Sequence, residues 1–167
     1  MRLFLALSVP SDIQQSIRRS LAEAQSLSPF VRWVCPENYH LTLEFLGEVP
    51  ASELPALTGR LDALSHPALT LRLGQPAARP SPRKPRLLWY DVEGAVVGLR
   101  HALELPGAEP FSAHVTLGRL REPRPVPGWP PARVEAEWRV NEVLLMQSHL
   151  RPQEPPRYEV LHTVHLD

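Results

Sequence analysis

Residues 39–45 read Tyr39-His40-Leu41-Thr42-Leu43-Glu44-Phe45, and residues 111–117 read Phe111-Ser112-Ala113-His114-Val115-Thr116-Leu117. Both contain His-x-Thr-Leu, 74 residues apart. Apolar and polar residues alternate in each, which predicts a β-strand. Side chains on a strand alternate faces, so each His shares a face with its Thr while Leu41 or Val115 points the other way. Two such faces brought together would make a site of two imidazoles and two hydroxyls. A single four-residue pattern recurs by chance, and a lone strand histidine is most often structural; a second copy in the same strand context makes the functional reading the stronger one.

Working outward, residues 3–9 form a short apolar run that suits a buried strand, and residues 11–27 carry Ile13, Ile17, Leu21 and Ala24 at helical spacing. A short strand at 31–34 and a turn at 36–38 precede the first motif strand, which Gly47 and Pro50 are expected to end. Leu54, Leu57, Leu61 and Leu64 predict a second helix, with Pro55 tolerated in its first turn. Residues 68–73 read as a strand, 75–86 as a proline- and arginine-rich loop, 87–92 as a strand and 95–105 as a short helix. Residues 106–110 lead into the second motif strand, 121–131 read as irregular, and strands at about 134–147 and 158–166 close the chain. Strands and helices mixed without regular alternation predict an α+β fold. The expected form is bilobal: two largely antiparallel sheets with outer helices, duplicated about a pseudo-two-fold axis, the motif strands facing a central cleft. Residues 1–167 are read as one domain of two intimately packed lobes, each carrying one motif.

The formal charge is zero, with 18 basic and 18 acidic residues, so the broad basic surface of a non-specific duplex binder is missing. Any nucleic-acid contact is expected to be local, to an end or a single nucleotide. The one cysteine, Cys35, cannot form an internal disulfide, which fits a reducing compartment. No leader pattern and no apolar stretch of membrane-spanning length occur, so a cytoplasmic location without a membrane partner is expected. No zinc motif and no glycine-rich phosphate loop is found, and no metal or cofactor is expected. His162 and His165 are oddly spaced on a predicted strand, which sends them to opposite faces.

Histidine gives and takes protons near neutral pH. Two imidazoles flanking a substrate can act as a base and an acid, one activating water and the other protonating the departing oxygen. A threonine on the same face can donate a hydrogen bond to a phosphate oxygen. That assembly suits metal-free cleavage of a phosphodiester, above all a strained cyclic one.

The flanks sharpen this reading. Arg32-Trp33-Val34-x-Pro36-Glu37-Asn38-Tyr39-His40-Leu41-Thr42-Leu43-x-Phe45-Leu46-Gly47-Glu48-Val49 closely resembles the first signature block of the 2H phosphoesterases, specifically of the bacterial and archaeal RNA 2′,3′-cyclic phosphodiesterases, also called 2′–5′ RNA ligases. Residues 2–7 resemble that family's first strand, 110–119 its second block, and Ser148-x-Leu150 with Tyr158-x-Val160-Leu161 its closing segment. The resemblance implies metal-independent hydrolysis of an RNA 2′,3′-cyclic phosphate end to a 2′-phosphomonoester, with the reverse 2′–5′ ligation as a further activity. By matching position it implies His40 as the acid that protonates the leaving 3′ oxygen and His114 as the base. Thr42 and Thr116 would hold the phosphate, and Arg119 would add a cation. Strict alternation puts Arg119 on the wrong face, so it reaches the phosphate only if the strand bulges or ends by Gly118. A monomer is expected.

Three departures from the family pattern stand out: Ala113 replaces a proline, the stretch between residues 92 and 111 is short, and Glu44 takes a position that is usually basic or polar. Glu44 is expected on the face of His40, where its carboxylate would raise the His40 pKa, or else in solvent at the strand's end. Arg79, Arg83, Lys84 and Arg86 form a basic cluster that could guide an RNA backbone. Trp33, Trp89, Tyr90 and Phe111 could stack on a base, although Trp33 and Trp89 lie in strand patterns that suit a core. The rival readings are a phosphodiesterase acting on a small cyclic phosphate, a cyclic nucleotide or an ADP-ribose cyclic phosphate, and a non-catalytic RNA-end-binding protein.

Overall fold

The run at residues 3–7 is buried along its whole length because it becomes an interior strand of the sheet, covered on both faces. In the computed structural model, which describes residues 1–106 and 110–167, this strand is β1 (Arg2–Ser8). There follow α1 (Ser11–Ser20), α2 (Ala22–Leu27), β2 (Arg32–Trp33), the first motif strand β3 (His40–Glu48), α3 (Leu54–Asp62), β4 (Leu69–Arg79), β5 (Leu87–Glu93), α4 (Val96–Ala102), the second motif strand β6 (His114–Arg119), β7 (Glu137–Val140), β8 (Glu142–His149) and β9 (Arg157–His165). Among the described residues every strand pairing is antiparallel.

The sheet order is β7-β4-β5-β6-β3-β1-β8-β9, with β2 paired to β6. The order is symmetric about its middle: each motif strand lies next to the strand that precedes it through helical structure, β1 for β3 and β5 for β6. The two antiparallel sheets expected from the sequence are joined into one by a single bridge, Leu41 opposite Val115. On the helix-covered face, Leu3, Leu5, Leu7, Leu41, Leu43, Tyr90, Val115 and Leu117 join Ile13, Ile17, Leu21 and Leu99 in the main core. Burying each such side chain stabilises the fold by roughly 1.5–3 kcal/mol. Among the described residues no helix is long and apolar enough to cross a membrane.

Several boundaries differ from the sequence reading. The helix expected over 11–27 breaks at Leu21, whose N–H is shared between the Ile17 and Arg18 carbonyls at 3.2 Å each; Ile17 and Leu21 both stay in the core. The first motif strand runs to Glu48, through Gly47 at φ +73°. The loop expected from residue 75 starts only after Arg79. Pro76 is accommodated because the β4–β5 register shifts between Leu73 and Pro76, where a missing N–H does not break the ladder. The helix expected over 95–105 is confined to Val96–Ala102, and the second motif strand starts at His114. The strand expected over 134–147 is two strands: β7 pairs with β4, and β8 pairs with β1 on the other half of the sheet. The chain crosses between halves at Asn141, whose carbonyl accepts from the Leu166 N–H at 2.7 Å. The connection expected at 106–110 includes residues 107–109, which lie outside the described residues.

Gly118 sits where β2, β5 and β6 meet. A Cβ there would lie 2.7 Å from Val31 Cγ1 and 3.2 Å from Trp33 Cε3. Gly118→Ala is expected to destabilise the protein by about 1–3 kcal/mol through overpacking. A urea unfolding midpoint equal to the parent's would contradict this.

Candidate active site

The Leu41–Val115 bridge determines what lies on the opposite, helix-free face. Extending an antiparallel register by one residue sets His40 across from Thr116 and Thr42 across from His114. All four side chains therefore share one face, as a quartet in which each histidine neighbours the other motif's threonine.

The two imidazoles are anchored alike. His40 Nδ1 donates to the Asn38 carbonyl and His114 Nδ1 donates to the Ser112 carbonyl, each at 2.7 Å. A carbonyl can only accept, so the neutral rings carry their proton on Nδ1 and leave Nε2 free for chemistry. At His40, Nε2 accepts from the Thr42 hydroxyl at 3.0 Å. Their surroundings differ. His40 lies among rings, with Phe4 at 5.1 Å and Tyr158 edge-on at 5.2 Å. His114 stacks on Trp89 with centroids 4.1 Å apart and planes 21° apart. Its direct cross-strand partner is Asp91, which accepts from Trp89 Nε1 at 2.8 Å; the partner of His40 is Ser8.

Burial lowers both histidine pKa values from the ordinary 6.5, opposed in each case by the backbone hydrogen bond. The Arg119 cation lowers both further, Asp91 raises that of His114, and His114 lowers that of His40. A bulge brings Arg119 to the face of both rings. Along β6, Gly118 opposes Leu88 and Thr116 opposes Trp89, so Leu117 is the extra residue and Arg119 returns to the face of His114. Val34 N–H donates to the bulged Leu117 carbonyl at 2.8 Å.

The first motif has the matching bulge. Glu44 opposes Leu5 and Thr42 opposes Ala6, leaving Leu43 unpaired in the β1–β3 ladder. This overturns the expectation that Glu44 shares the His40 face. Glu44 turns to the helix side and binds buried Arg100 at 3.1 Å, and Phe45 takes the site face instead, opposite Phe4 and 62% exposed.

The remaining sequence candidates divide. Trp89 is both buried and part of the site wall, with the Arg79 guanidinium over its ring, 5.2 Å from the centroid. Trp33 donates to the Ser28 carbonyl, Tyr90 is fully buried and bonded to Ser20 and Ala132, and Phe111 lies under Arg100. His162 binds Asp62 of α3 at 2.7 Å, and His165 lies 4.0 Å from Glu142. Among the described residues no three His, Cys, Asp or Glu side chains converge as metal ligands. Tyr158 and Asp91 were missed as site neighbours. Asp91 could have been found from its alternation with Trp89 on a strand antiparallel to the motif; Tyr158 depends on the path of the β8–β9 hairpin, tied down where Asn38 Nδ2 donates to the Pro156 carbonyl at 3.0 Å.

Comparison with known proteins agrees with this architecture. Residues 7–89 match the family model LigT like Phosphoesterase. An RNA 2′,3′-cyclic phosphodiesterase of Thermus thermophilus is 37% identical over 93% of this chain and 85% of its own length. The crystal structure of TT0787 from Thermus thermophilus superimposes with a TM-score of 0.82 at 31% identity, covering 99% of this chain and 97% of that one. The crystal structure of E. coli LigT complexed with 3′-AMP does so with a TM-score of 0.81 at 27% identity, covering 99% and 97%. With this identity sustained over nearly its whole length, the chain belongs to the LigT-like phosphoesterases.

Proposed function

We propose that the protein is a single domain of two lobes that hydrolyses RNA 2′,3′-cyclic phosphate ends to 2′-phosphomonoesters by two-histidine acid–base catalysis. The observation that carries this reading is the quartet on one face, each imidazole held by a backbone carbonyl so that Nε2 is the working atom. Water attacks phosphorus as His114 Nε2 takes its proton. The bond from phosphorus to the 3′ oxygen breaks, and His40 Nε2 delivers a proton to that oxygen. Asp91 stabilises the imidazolium formed at His114, as a carboxylate does beside a catalytic histidine. Burial lowers the His40 pKa, which makes its imidazolium a stronger acid than a free one. Thr42, Thr116 and Arg119 hold the phosphate oxygens and stabilise the charge building on them. With an RNA 5′-hydroxyl in place of water, the same step forms a 2′–5′ phosphodiester: His114 takes the hydroxyl proton, the bond from phosphorus to the 3′ oxygen breaks, and His40 protonates that oxygen. The similarity to RNA 2′,3′-cyclic phosphodiesterases supports the substrate class.

The test is incubation with an oligonucleotide ending in a 2′,3′-cyclic phosphate. A 2′-phosphate end, formed undiminished in EDTA, is expected; a 3′-phosphate, or activity restored only by added metal, contradicts the mechanism.

The pH profile follows from the site. Activity needs one imidazole charged and one neutral, so kcat/KM should be bell-shaped, its limbs belonging to the pair. Because both free-enzyme values lie below 6.5, the centre of the bell should also lie below 6.5. A bound phosphate anion favours protonation, so the kcat profile should move to higher pH. A kcat/KM bell centred above neutrality would contradict the burial described.

A further inference from the structure

A cleft of about 740 Å³ opens beside the His40 half of the site, lined among others by Arg2, Gln147, Leu150, Arg151, Arg157 and Tyr158. We propose that this cleft is a subsite for the nucleotide preceding the cyclic phosphate, with Arg2 and Arg157 binding its phosphodiester; this rests on the functional reading above.

Three observations carry it. First, Tyr158 belongs to both places: it lines the cleft, and its ring stands edge-on to His40 at 5.2 Å. Tyr158 shares the cleft wall with Arg2 and Arg157, and the Arg119 and Arg2 cations both oppose the rise that burial gives its pKa, so this one ring adjoins both the quartet and the arginines of the cleft. Second, the cleft holds uncommitted positive charge. Arg151 is held by Glu154 at 3.8 Å, and the Glu159 carboxylate by His149 at 2.8 Å. Arg2 and Arg157 are exposed and make no ion pair among the described residues, with Glu48 the remaining carboxylate on the wall. In a chain of zero formal charge this local excess is not a by-product of a basic surface. Third, the chemistry of the substrate leaves one direction. A 2′,3′-cyclic phosphate terminates its strand, so the only other phosphate that an adjoining cationic site can meet is the one on the 5′ side. The volume lies within the roughly 300–1,000 Å³ of small-ligand sites, enough for a nucleotide, and Leu150, 59% exposed, offers an apolar surface to its base.

The experiment compares kcat/KM for a 2′,3′-cyclic mononucleotide with that for a short oligonucleotide carrying the same cyclic end, in the parent and in the Arg2→Ala/Arg157→Ala double variant. The parent is expected to prefer the oligonucleotide by about tenfold or more, and the double variant to lose that preference with a shallower salt dependence. Its kcat/KM on the mononucleotide should be unchanged, which also shows that it folds. Equal parent activity on both substrates, a preference retained by the double variant, or an equal fall on both substrates would overturn the subsite while leaving the catalytic reading intact. A parent protein that cleaves neither substrate would overturn that reading, and this one with it.

Discussion

His40→Ala and His114→Ala are each expected to lower kcat on a cyclic-phosphate-ended oligonucleotide by about 10²–10⁴-fold, the usual worth of one positioned proton transfer. KM should change little, because Thr42, Thr116 and Arg119 remain to hold the phosphate. The double variant should be scarcely slower than the worse single one, since the two imidazoles act on one transition state and their losses do not add. Folding should survive, as both rings lie on the helix-free face and the core residues Leu41 and Val115 are untouched. Rates from single-turnover kinetics, set beside unfolding midpoints, check this. A single variant retaining more than about a tenth of parent kcat would be out of line with a full proton-transfer role.

The second large effect concerns Arg100, which is not part of the quartet. It lies on α4, its side chain 5% exposed, and its Nη1 donates to the Leu43 carbonyl and, at 3.1 Å, to Glu44. Nη2 donates to the Pro106 carbonyl at 3.3 Å, and the guanidinium sits 4.1 Å from the Phe111 ring centroid. Leu43 is the bulged residue of the first motif, so its carbonyl has lost its ladder partner. Arg100 supplies one from the other half of the sheet, as Val34 does at the second bulge. Arg100→Met removes a partner from a buried pair and leaves both Glu44 and that carbonyl unsatisfied, at a cost of about 3–5 kcal/mol. For a chain of this size that lowers Tm by roughly 10 °C. Arg100→Lys should rescue little, because a point charge cannot serve the carbonyl and the carboxylate with the fork of a guanidinium. A loss below about 1 kcal/mol in denaturant unfolding would show that the buried pair contributes less than its geometry implies.

The motif strands were legible because period-two alternation survives on both sides of each histidine, and the α+β class followed from the mixture of elements. The bulges were not. Nothing in His-x-Thr-Leu announces that the fourth residue drops out of register, yet that slip decides that Glu44 faces Arg100 and that Arg119 faces the histidines. Gly118 pointed to the second bulge, since glycine permits such a break; the first has no glycine at the matching place. The extension of β4 past Pro76 was hidden by a proline that normally ends strands, and the break at Asn141 by an apolar pattern that continues through it. Tyr158 reaches His40 through the path of the last hairpin, which no local pattern encodes.

The central claim is that two imidazoles from distant parts of the chain hold one phosphate. It is tested most directly by ¹⁵N NMR of the histidine rings during titration with a 2′-phosphate nucleotide, the product expected from hydrolysis. The Nε2 signals of His40 and His114 should move together, with one Kd, while the Nδ1 signals held by Asn38 and Ser112 move little. Movement of only one ring, or two different Kd values, would contradict it.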